Sequence, residues 1–263
     1  MSQMTLELSV AYQFLPKTPT TRSSVIMDQF GIGFEQGEHI IAHELPLKLR
    51  RGEIVLFTGE SGSGKSSLLR AAARELSASG EKVVSLLELE FGSGCLVDQI
   101  PGEPDDALAL LAMCGLGEAQ LLLRTPQELS DGQRFRFALA YAIAQQPDWI
   151  LADEFTAALD RRVARVISAN LRRLSKKSGT GFLLATTHET IVGDVAADHH
   201  LHCELDGTVT RNGVEEAGDF TGADSASDLK KKRPSSTNAG SPLRPRPTGR
   251  TSLGGIIAAT TSG

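Results

Sequence analysis

Short apolar runs alternate with longer amphipathic runs along most of the chain. Residues 53–58 form a short, largely apolar stretch that predicts a buried strand, and residues 67–76 carry apolar side chains at helical spacing. Further strand signals lie near residues 40–41, 47–49, 83–87, 149–152 and 182–186, with helical patterns between the later ones. Strands that alternate with helices favour an α/β fold with a mostly parallel central sheet.

The two ends of the chain depart from this alternation. Residues 6–12 alternate apolar and polar side chains, which predicts an edge strand, and a Pro/Thr-rich loop follows, so residues 1–24 are a lead-in. From Asp219 onward Ser, Thr, Gly, Pro and Arg dominate and apolar periodicity is lost. We therefore expect one domain over residues 25–218 and a disordered, basic tail over residues 219–263.

The composition of the chain excludes several classes of protein. With 263 residues and 40% apolar side chains, the chain can bury a sizeable core. It has no run of about 18 apolar residues, so we expect no transmembrane segment. Cys95, Cys114 and Cys203 are scattered, which suits a reducing cytoplasm and gives no disulfide or zinc pattern. The first 218 residues carry 20 basic and 29 acidic side chains, which argues against a general polyanion binder.

The strand at 53–58 and the helix at 67–76 flank a glycine-rich loop that matches the P-loop pattern G-x-x-x-x-G-K-[ST] at every fixed position. Its glycines let the backbone wrap closely and direct N–H groups at phosphate oxygens, and the helix N-terminus adds its dipole. Lys65 supplies a positive charge to the outer phosphates, and Ser66 can ligate Mg²⁺. The predicted phosphate-binding residues are Gly59, Glu60, Ser61, Gly62, Ser63, Gly64, Lys65, Ser66 and Ser67.

Further motifs follow in a characteristic order. Residues 129–133 read L-S-D-G-Q, residues 150–154 read I-L-A-D-E, residues 157–160 read A-A-L-D, and residues 186–189 read T-T-H-E. In this order and spacing the chain resembles the ATP-binding-cassette (ABC) ATPases over about residues 25–212. The resemblance implies a P-loop fold with an N-terminal antiparallel β part and a short helical insertion at about 93–145.

The resemblance also assigns roles. Asp153 ends an apolar strand and would hold Mg²⁺ with Ser66, whereas Glu154 would orient or deprotonate the attacking water. His188 would contact the γ-phosphate. Ser130, Gly132 and Gln133 would face ATP held by a second subunit, so the family resemblance implies a nucleotide-driven dimer, made of two copies or of this chain and a paralogue.

An aromatic side chain that stacks on adenine is a further family feature, and Phe34 occupies the expected place, with Phe30 as the alternative.

The sequence departs from the family pattern at three points. Asp131 replaces a signature glycine, which leads to the hypothesis of slow or controlled turnover. No clear Q-loop glutamine is present, and Glu88, Glu90 or Gln99 would have to replace it. The insertion of residues 93–128 is shorter than in most transporter subunits.

These departures favour a stand-alone cytoplasmic ATP hydrolase that couples Mg-ATP to a soluble partner or nucleic acid. The runs at 130–133, 153–161 and 187–189 are similar to those of ABC ATPases found beside or fused to acetyltransferase domains. The alternative is the ATP-binding subunit of a membrane transporter, peripheral to the membrane and bound to a permease. A non-hydrolysing scaffold is disfavoured because Lys65, Asp153, Glu154 and His188 are all present.

Overall fold

The computed structural model describes the body of the chain. The residues that it describes are 3–13, 15, 18, 20–32, 38–212 and 220–221. Phe34 and nearly all of the predicted tail at 219–263 lie outside the described residues. Phe220 and Thr221, which the sequence assigns to the tail, form a short strand instead. No described helix is both long and apolar enough to cross a bilayer.

The central sheet has seven strands in the order β4-β5-β6-β3-β7-β8-β9. Neighbours from β4 to β7 pair in parallel, whereas β7–β8 and β8–β9 are antiparallel, so the predicted mostly parallel sheet is confirmed. The strands are β3 (Ile54–Gly59), β4 (Val83–Ser85), β5 (Trp149–Ala152), β6 (Gly181–Ala185), β7 (His199–Cys203), β8 (Thr208–Asn212) and β9 (Phe220–Thr221).

A separate antiparallel pair forms the N-terminal β part. It consists of β1 (Met4–Gln13) and β2 (Glu38–Leu49). The strand signals near 40–41 and 47–49 belong to this one strand, because an irregularity near Glu44 carries it through the polar positions between them. Glu44 has φ 49° and its N–H donates to Ser9 Oγ at 3.0 Å, which holds the bulge in place.

Seven α-helices lie in the described part of the chain. They are α1 (Thr21–Phe30), α2 (Lys65–Ala78), α3 (Pro104–Met113), α4 (Ala119–Leu122), α5 (Asp131–Ala144), α6 (Arg161–Ser178) and α7 (Val192–Val195). Helix α1 was not predicted from the Pro/Thr-rich lead-in. Its start is fixed by a capping box between Thr20 and Ser23, and Gly31 ends it in the left-handed conformation.

Two apolar clusters sandwich the central sheet. Successive residues of β3 point to opposite faces, so Ile54 and Leu56 join one cluster, with α3, α5 and α6, whereas Val55 and Phe57 join the other, with α2, β1 and β2. All four side chains are fully buried. Burying one such side chain contributes about 1.5–3 kcal/mol. Strand β3 is therefore a continuous run of apolar residues, because both of its faces are buried against other elements.

The parallel strands bring the motifs to one edge of the sheet. β3, β5 and β6 are neighbours, and their carboxyl ends lead directly into Gly59, Asp153 and Thr186. Ligands bind at this edge in open parallel sheets, at the ends of strands that run in the same direction. The predicted insertion, α3 and α4, lies on the sheet face that also carries α5 and α6.

Candidate functional site

Two positions in the loop between β3 and α2 can be occupied only by glycine. Gly59 has φ +132°, and a Cβ there would lie 2.1 Å from the carbonyl oxygen of Cys203. Gly64 has φ +90°, and a Cβ there would lie 2.6 Å from the side chain of Ile41. The loop is therefore wedged between β7 and β2, which holds its backbone in a fixed curve above the end of β3.

The interior of this loop is built for a polar ligand. Gly64 caps α2 without a side-chain acceptor, so the first N–H groups of the helix are free to bind an anion. The Lys65 side chain is buried, and its Nζ donates to the carbonyl oxygen of Glu60 at 2.6 Å. Ser63 Oγ is also buried and has no hydrogen-bond partner among the described residues. The free N–H groups and the buried ammonium group fit a phosphate ligand, and the orphaned hydroxyl belongs to the same loop.

A small cavity of about 190 Å³ opens over the loop. Glu154, which follows β5 by two residues, lines it together with Lys65 and Ser66. The lining consists of Tyr12, Ser61, Gly62, Gly64, Lys65, Ser66, Ser67 and Glu154. The fold thus brings six of the nine predicted P-loop residues and the predicted catalytic glutamate to one concave site.

Ser66 and Asp153, the two predicted Mg²⁺ ligands, are in contact. Ser66 Oγ donates to Asp153 Oδ1 at 2.9 Å, although the two residues are 87 positions apart. Arg70, one helical turn after Ser66, donates to Asp153 Oδ2 at 3.3 Å. A hydroxyl and a carboxylate side by side are hard oxygen ligands of the kind that Mg²⁺ prefers, so the residues present fit this ion.

Glu154 and His188 lie on adjacent strand ends. Glu154 has φ 49°, an uncommon conformation for a non-glycine residue and one that recurs at functional sites. The hydroxyl of Thr187 is 3.5 Å from Glu154 Oε2. His188 Nδ1 is 3.0 Å from the hydroxyl of Thr156, whose Oγ1 also lies 2.7 Å from that of Thr186. The imidazole is thus held through Nδ1, which leaves Nε2 without a hydrogen-bond partner among the described residues.

The L-S-D-G-Q residues form the start of α5 and do not line the P-loop cavity of the same chain. Ser130 and Gln133 make a capping box, with Ser130 N–H donating to Gln133 Oε1 at 3.1 Å. A Cβ on Gly132 would lie 2.8 Å from the carbonyl oxygen of Ala158, so this glycine lets α5 pack against the A-A-L-D turn. Within one chain the P-loop thus shares its cavity with Glu154 but with none of residues 129–133, whereas Asp131 lines the larger neighbouring cavity with Asp153 and Glu154.

The adenine-side aromatic residue is a point where sequence analysis missed a candidate. Phe34 lies outside the described residues, so its role stays a prediction. Phe30 ends α1 with 74% of its surface exposed and does not line the cavity. Tyr12, at the end of β1, does line it, and its hydroxyl hydrogen-bonds to that of Ser67. Tyr12 could have been identified from the sequence by its place at the end of the first strand, in which apolar and polar residues alternate.

The sequence analysis also did not predict a polar cluster around Thr58, in the strand that leads into the P-loop. His200 and His202 share one face of β7, and both rings contact Thr58, whose hydroxyl is 2.8 Å from His200 Nε2 and 3.0 Å from His202 Nδ1. Burial, with the nearby His202, lowers the pKa of His200. Burial raises the pKa of the Cys203 thiol, next to the loop, to about 12, so this thiol is neutral. The alternation of histidines along 200–202 was the signal for this cluster.

The three candidates for the missing Q-loop glutamine lie in different surroundings. The Gln99 side chain braces its own loop, since its Oε1 accepts from Gly92 N–H at 2.9 Å and its Nε2 donates to the Gly94 carbonyl at 2.7 Å. Glu88 lines a groove beside α2. Glu90 lines a larger cavity of about 840 Å³ together with Asp153 and Glu154. Of the three, Glu90 is the one that shares a cavity with the metal and catalytic carboxylates.

Comparisons with known proteins agree with this geometry. The family model described as "ABC transporter" matches residues 42–91, which contain the P-loop. The lipoprotein-releasing system ATP-binding protein LolD of Pseudomonas syringae pv. tomato is 34% identical over 194 residues, which is 59% of this chain and 85% of that protein. The methionine import ATP-binding protein MetN 2 of Pectobacterium atrosepticum is 25% identical over 73% of this chain and 66% of that protein.

Solved structures show the same fold. A dimeric ATP-binding cassette in a post-hydrolysis state, bound to ADP and Pi, is 18% identical and superposes with a TM-score of 0.56, covering 82% of this chain and all of that one. The predicted P-loop fold is thereby confirmed. The ABC transporter family model and the 34% identity to LolD over 85% of that protein confirm the family, and with it the predicted use of ATP and Mg²⁺ and the predicted ATP hydrolysis. The chain belongs to the ATP-binding-cassette family of ATPases.

Proposed function

We propose that this chain is the ATP-binding subunit of an ABC membrane transporter, which hydrolyses Mg-ATP in a nucleotide-driven dimer. The observation that carries the proposal is its similarity to LolD, over 85% of that protein. The names of LolD and MetN assign both to transport systems. These relatives reverse the preference for a soluble partner or nucleic acid that the short insertion suggested.

The site residues divide the hydrolysis reaction among them. The N–H groups at the start of α2 and the Lys65 ammonium bind the phosphates and neutralise charge that develops on them. Ser66 and Asp153 would hold Mg²⁺, which supplies Lewis-acid stabilisation of the phosphate oxygens when bound. Glu154, at the wall of the same cavity, orients the attacking water and accepts its proton. His188, held by Thr156 through Nδ1, donates from Nε2 to the γ-phosphate.

The signature residues act in a second subunit under this proposal. Ser130, Gly132 and Gln133 lie at the start of a 14-residue helix outside the P-loop cavity of their own chain. A second copy, or a paralogue, that presents this helix to the bound γ-phosphate would complete the anion site. Hydrolysis would then depend on association of two chains, as the dimeric structural neighbours suggest for the fold.

A membrane partner would dock beside the catalytic carboxylates. The cavity of about 840 Å³ that contains Glu90, Asp153 and Glu154 also has apolar walls from Leu89, Phe91 and Phe135. Leu87, which also lines it, is 73% exposed, so the apolar lining continues onto the surface. A permease segment that buried this side chain would contact the catalytic edge directly. Under this proposal the chain would lie at the cytoplasmic face of a membrane.

The stand-alone ATPase remains the second candidate function, and the insertion favours it. Between Gly92 and Leu129 the chain builds only two short helices, α3 and α4. The finer resemblance to acetyltransferase-associated ABC ATPases stays a prediction, since neither relative has a name of that kind. A nucleic-acid or soluble protein partner belongs to this second candidate.

Capture of the partner tests the two candidates against each other. Glu154→Gln should bind Mg-ATP but hydrolyse it slowly, and so retain the closed dimer. We expect this variant, purified with Mg-ATP from detergent-solubilised cells, to retain a polytopic membrane protein that mass spectrometry identifies. The double variant Lys65→Ala/Glu154→Gln is the control, because it should lose nucleotide and the partner together. Retention of DNA or a soluble protein, without a membrane component, would contradict the transporter proposal.

A further inference from the structure

Asp153 is already engaged by a cation from its own chain. The Arg70 guanidinium donates from Nη2 to Asp153 Oδ2 at 3.3 Å, while Ser66 occupies Oδ1 of the same carboxylate. Only 10% of the Asp153 side chain is exposed, whereas 63% of the Arg70 side chain is exposed. The carboxylate is thus fixed and sheltered, and its charge partner is free to move into solvent.

Helix geometry puts Arg70 in this position. Ser66 and Arg70 are four residues apart on α2, so they lie on the same face, one turn from each other. Arg74 lies one further turn along, is also exposed, and forms no ion pair with the described residues. Both arginines line the groove of about 600 Å³ beside α2, but only Arg70 reaches the carboxylate predicted to hold the metal.

A guanidinium and a divalent cation that bind the same carboxylate repel each other. We propose that Arg70 sets the affinity of the metal site, because it neutralises Asp153 before nucleotide binds and competes with Mg²⁺ for this carboxylate. Arg70 therefore weakens the binding of Mg²⁺–nucleotide and keeps Asp153 in place in the nucleotide-free protein. The inference rests on the proposed ATP site and goes beyond it, because it concerns the affinity of that site for the ion.

The test compares nucleotide affinity with and without the ion. Calorimetry on the full chain would measure the Kd of the non-hydrolysable analogue AMP-PNP in Mg²⁺ and in EDTA. Arg70→Gln should lower the Kd in Mg²⁺ by about two- to fivefold, the range that a partly exposed ion pair supports. It should not lower the Kd in EDTA. Arg74→Gln, the matched control, should leave the Mg²⁺ value unchanged, and Arg70→Lys should fall between wild type and Arg70→Gln.

The two buffers separate competition from simple attraction. If Arg70 only attracted phosphates, Arg70→Gln would weaken binding in Mg²⁺ and in EDTA alike, which would overturn the inference. An unchanged Kd of Arg70→Gln in Mg²⁺ would overturn the inference too. The proposed ATP site would still stand in that case if the wild type bound AMP-PNP tightly. Failure of the wild type to bind AMP-PNP in either buffer would overturn both. Thermal unfolding of each variant would show that the exposed substitutions leave the fold unchanged.

Discussion

The hydroxyl of Thr156 connects two motif segments that are 32 residues apart in the chain. Thr156 is buried just after Glu154, and its Oγ1 contacts both Thr186 Oγ1 and His188 Nδ1. A histidine can act on a ligand through one nitrogen only if the other is held, since a bond at Nδ1 fixes both the ring orientation and the tautomer. At the scale of single residues, the predicted contact of His188 with the γ-phosphate thus depends on Thr156, which does not line the P-loop cavity.

Thr156→Val tests this role, because valine keeps the shape and removes the hydrogen bond. We expect the rate of ATP hydrolysis to fall about tenfold, equivalent to about 1.4 kcal/mol of activation free energy, with the Kd for ATP little changed. Steady-state hydrolysis and equilibrium binding would measure the two quantities. In the His188→Ala background the same substitution should cost nothing more. A further loss of activity in that double variant would show that Thr156 acts by another route.

Among the elements, β5 and β6 do most to assemble the catalytic edge. They pair in parallel with Trp149 opposite Gly181, and their carboxyl ends deliver Asp153 and His188. The Trp149 ring is fully buried and lies across Gly181, where an added Cβ would be 2.4 Å from ring carbons. The absence of a side chain at one strand position therefore determines how closely these two strands can approach.

Gly181→Ala should destabilise the protein by about 1–3 kcal/mol, because the buried ring has no room for the added methyl group. Urea unfolding followed by Trp149 fluorescence would measure the free energy of unfolding. Gly193→Ala is the matched control, since a Cβ there meets nothing within 4 Å and the position lies in α7. We expect the control to leave stability unchanged or to raise it by up to about 1 kcal/mol, since alanine is the better helix former. Equal effects of the two substitutions would refute the steric argument.

At the scale of the whole molecule, the proposed site needs residues from two chains. The P-loop cavity and the signature at the start of α5 are separate, and we proposed above that a second subunit supplies the signature. Asp131 stands at the first helical position between Ser130 and Gly132. A carboxylate there favours the helix dipole but repels the γ-phosphate that the helix would receive, so it opposes dimer closure.

Asp131→Gly and Asp131→Asn should therefore strengthen ATP-driven association. In the Glu154→Gln background we expect the ATP concentration for half-maximal dimerisation, measured by analytical ultracentrifugation, to fall about two- to fivefold, as for a charge of about 0.3–1 kcal/mol at a helix end. In the active protein, ATP hydrolysis should rise. Asp106→Asn, in the first turn of α3, is the control and should change neither. No change in either Asp131 variant would exclude the charge effect.

Much of this architecture could be predicted from local patterns. The P-loop lies between its strand and helix as expected, since glycine spacing and apolar runs act over a few residues. Helix α1 could not be predicted, because its capping box lies within a Pro/Thr-rich stretch whose composition favours a loop. The continuous course of β2 was also missed, because the Glu44 bulge depends on pairing with Ser9 of another strand.

The sequence by itself determined the P-loop, the strand that ends at Asp153 and Glu154, and the family resemblance, since each rests on residue types at short, fixed spacing. Only the tertiary structure decided which distant side chains meet. Arg70 beside Asp153, Tyr12 over the P-loop and Thr156 against His188 are contacts across 83, 55 and 32 residues. Such contacts follow from the order of strands in the sheet and the packing of its two faces, which no local pattern in the chain encodes.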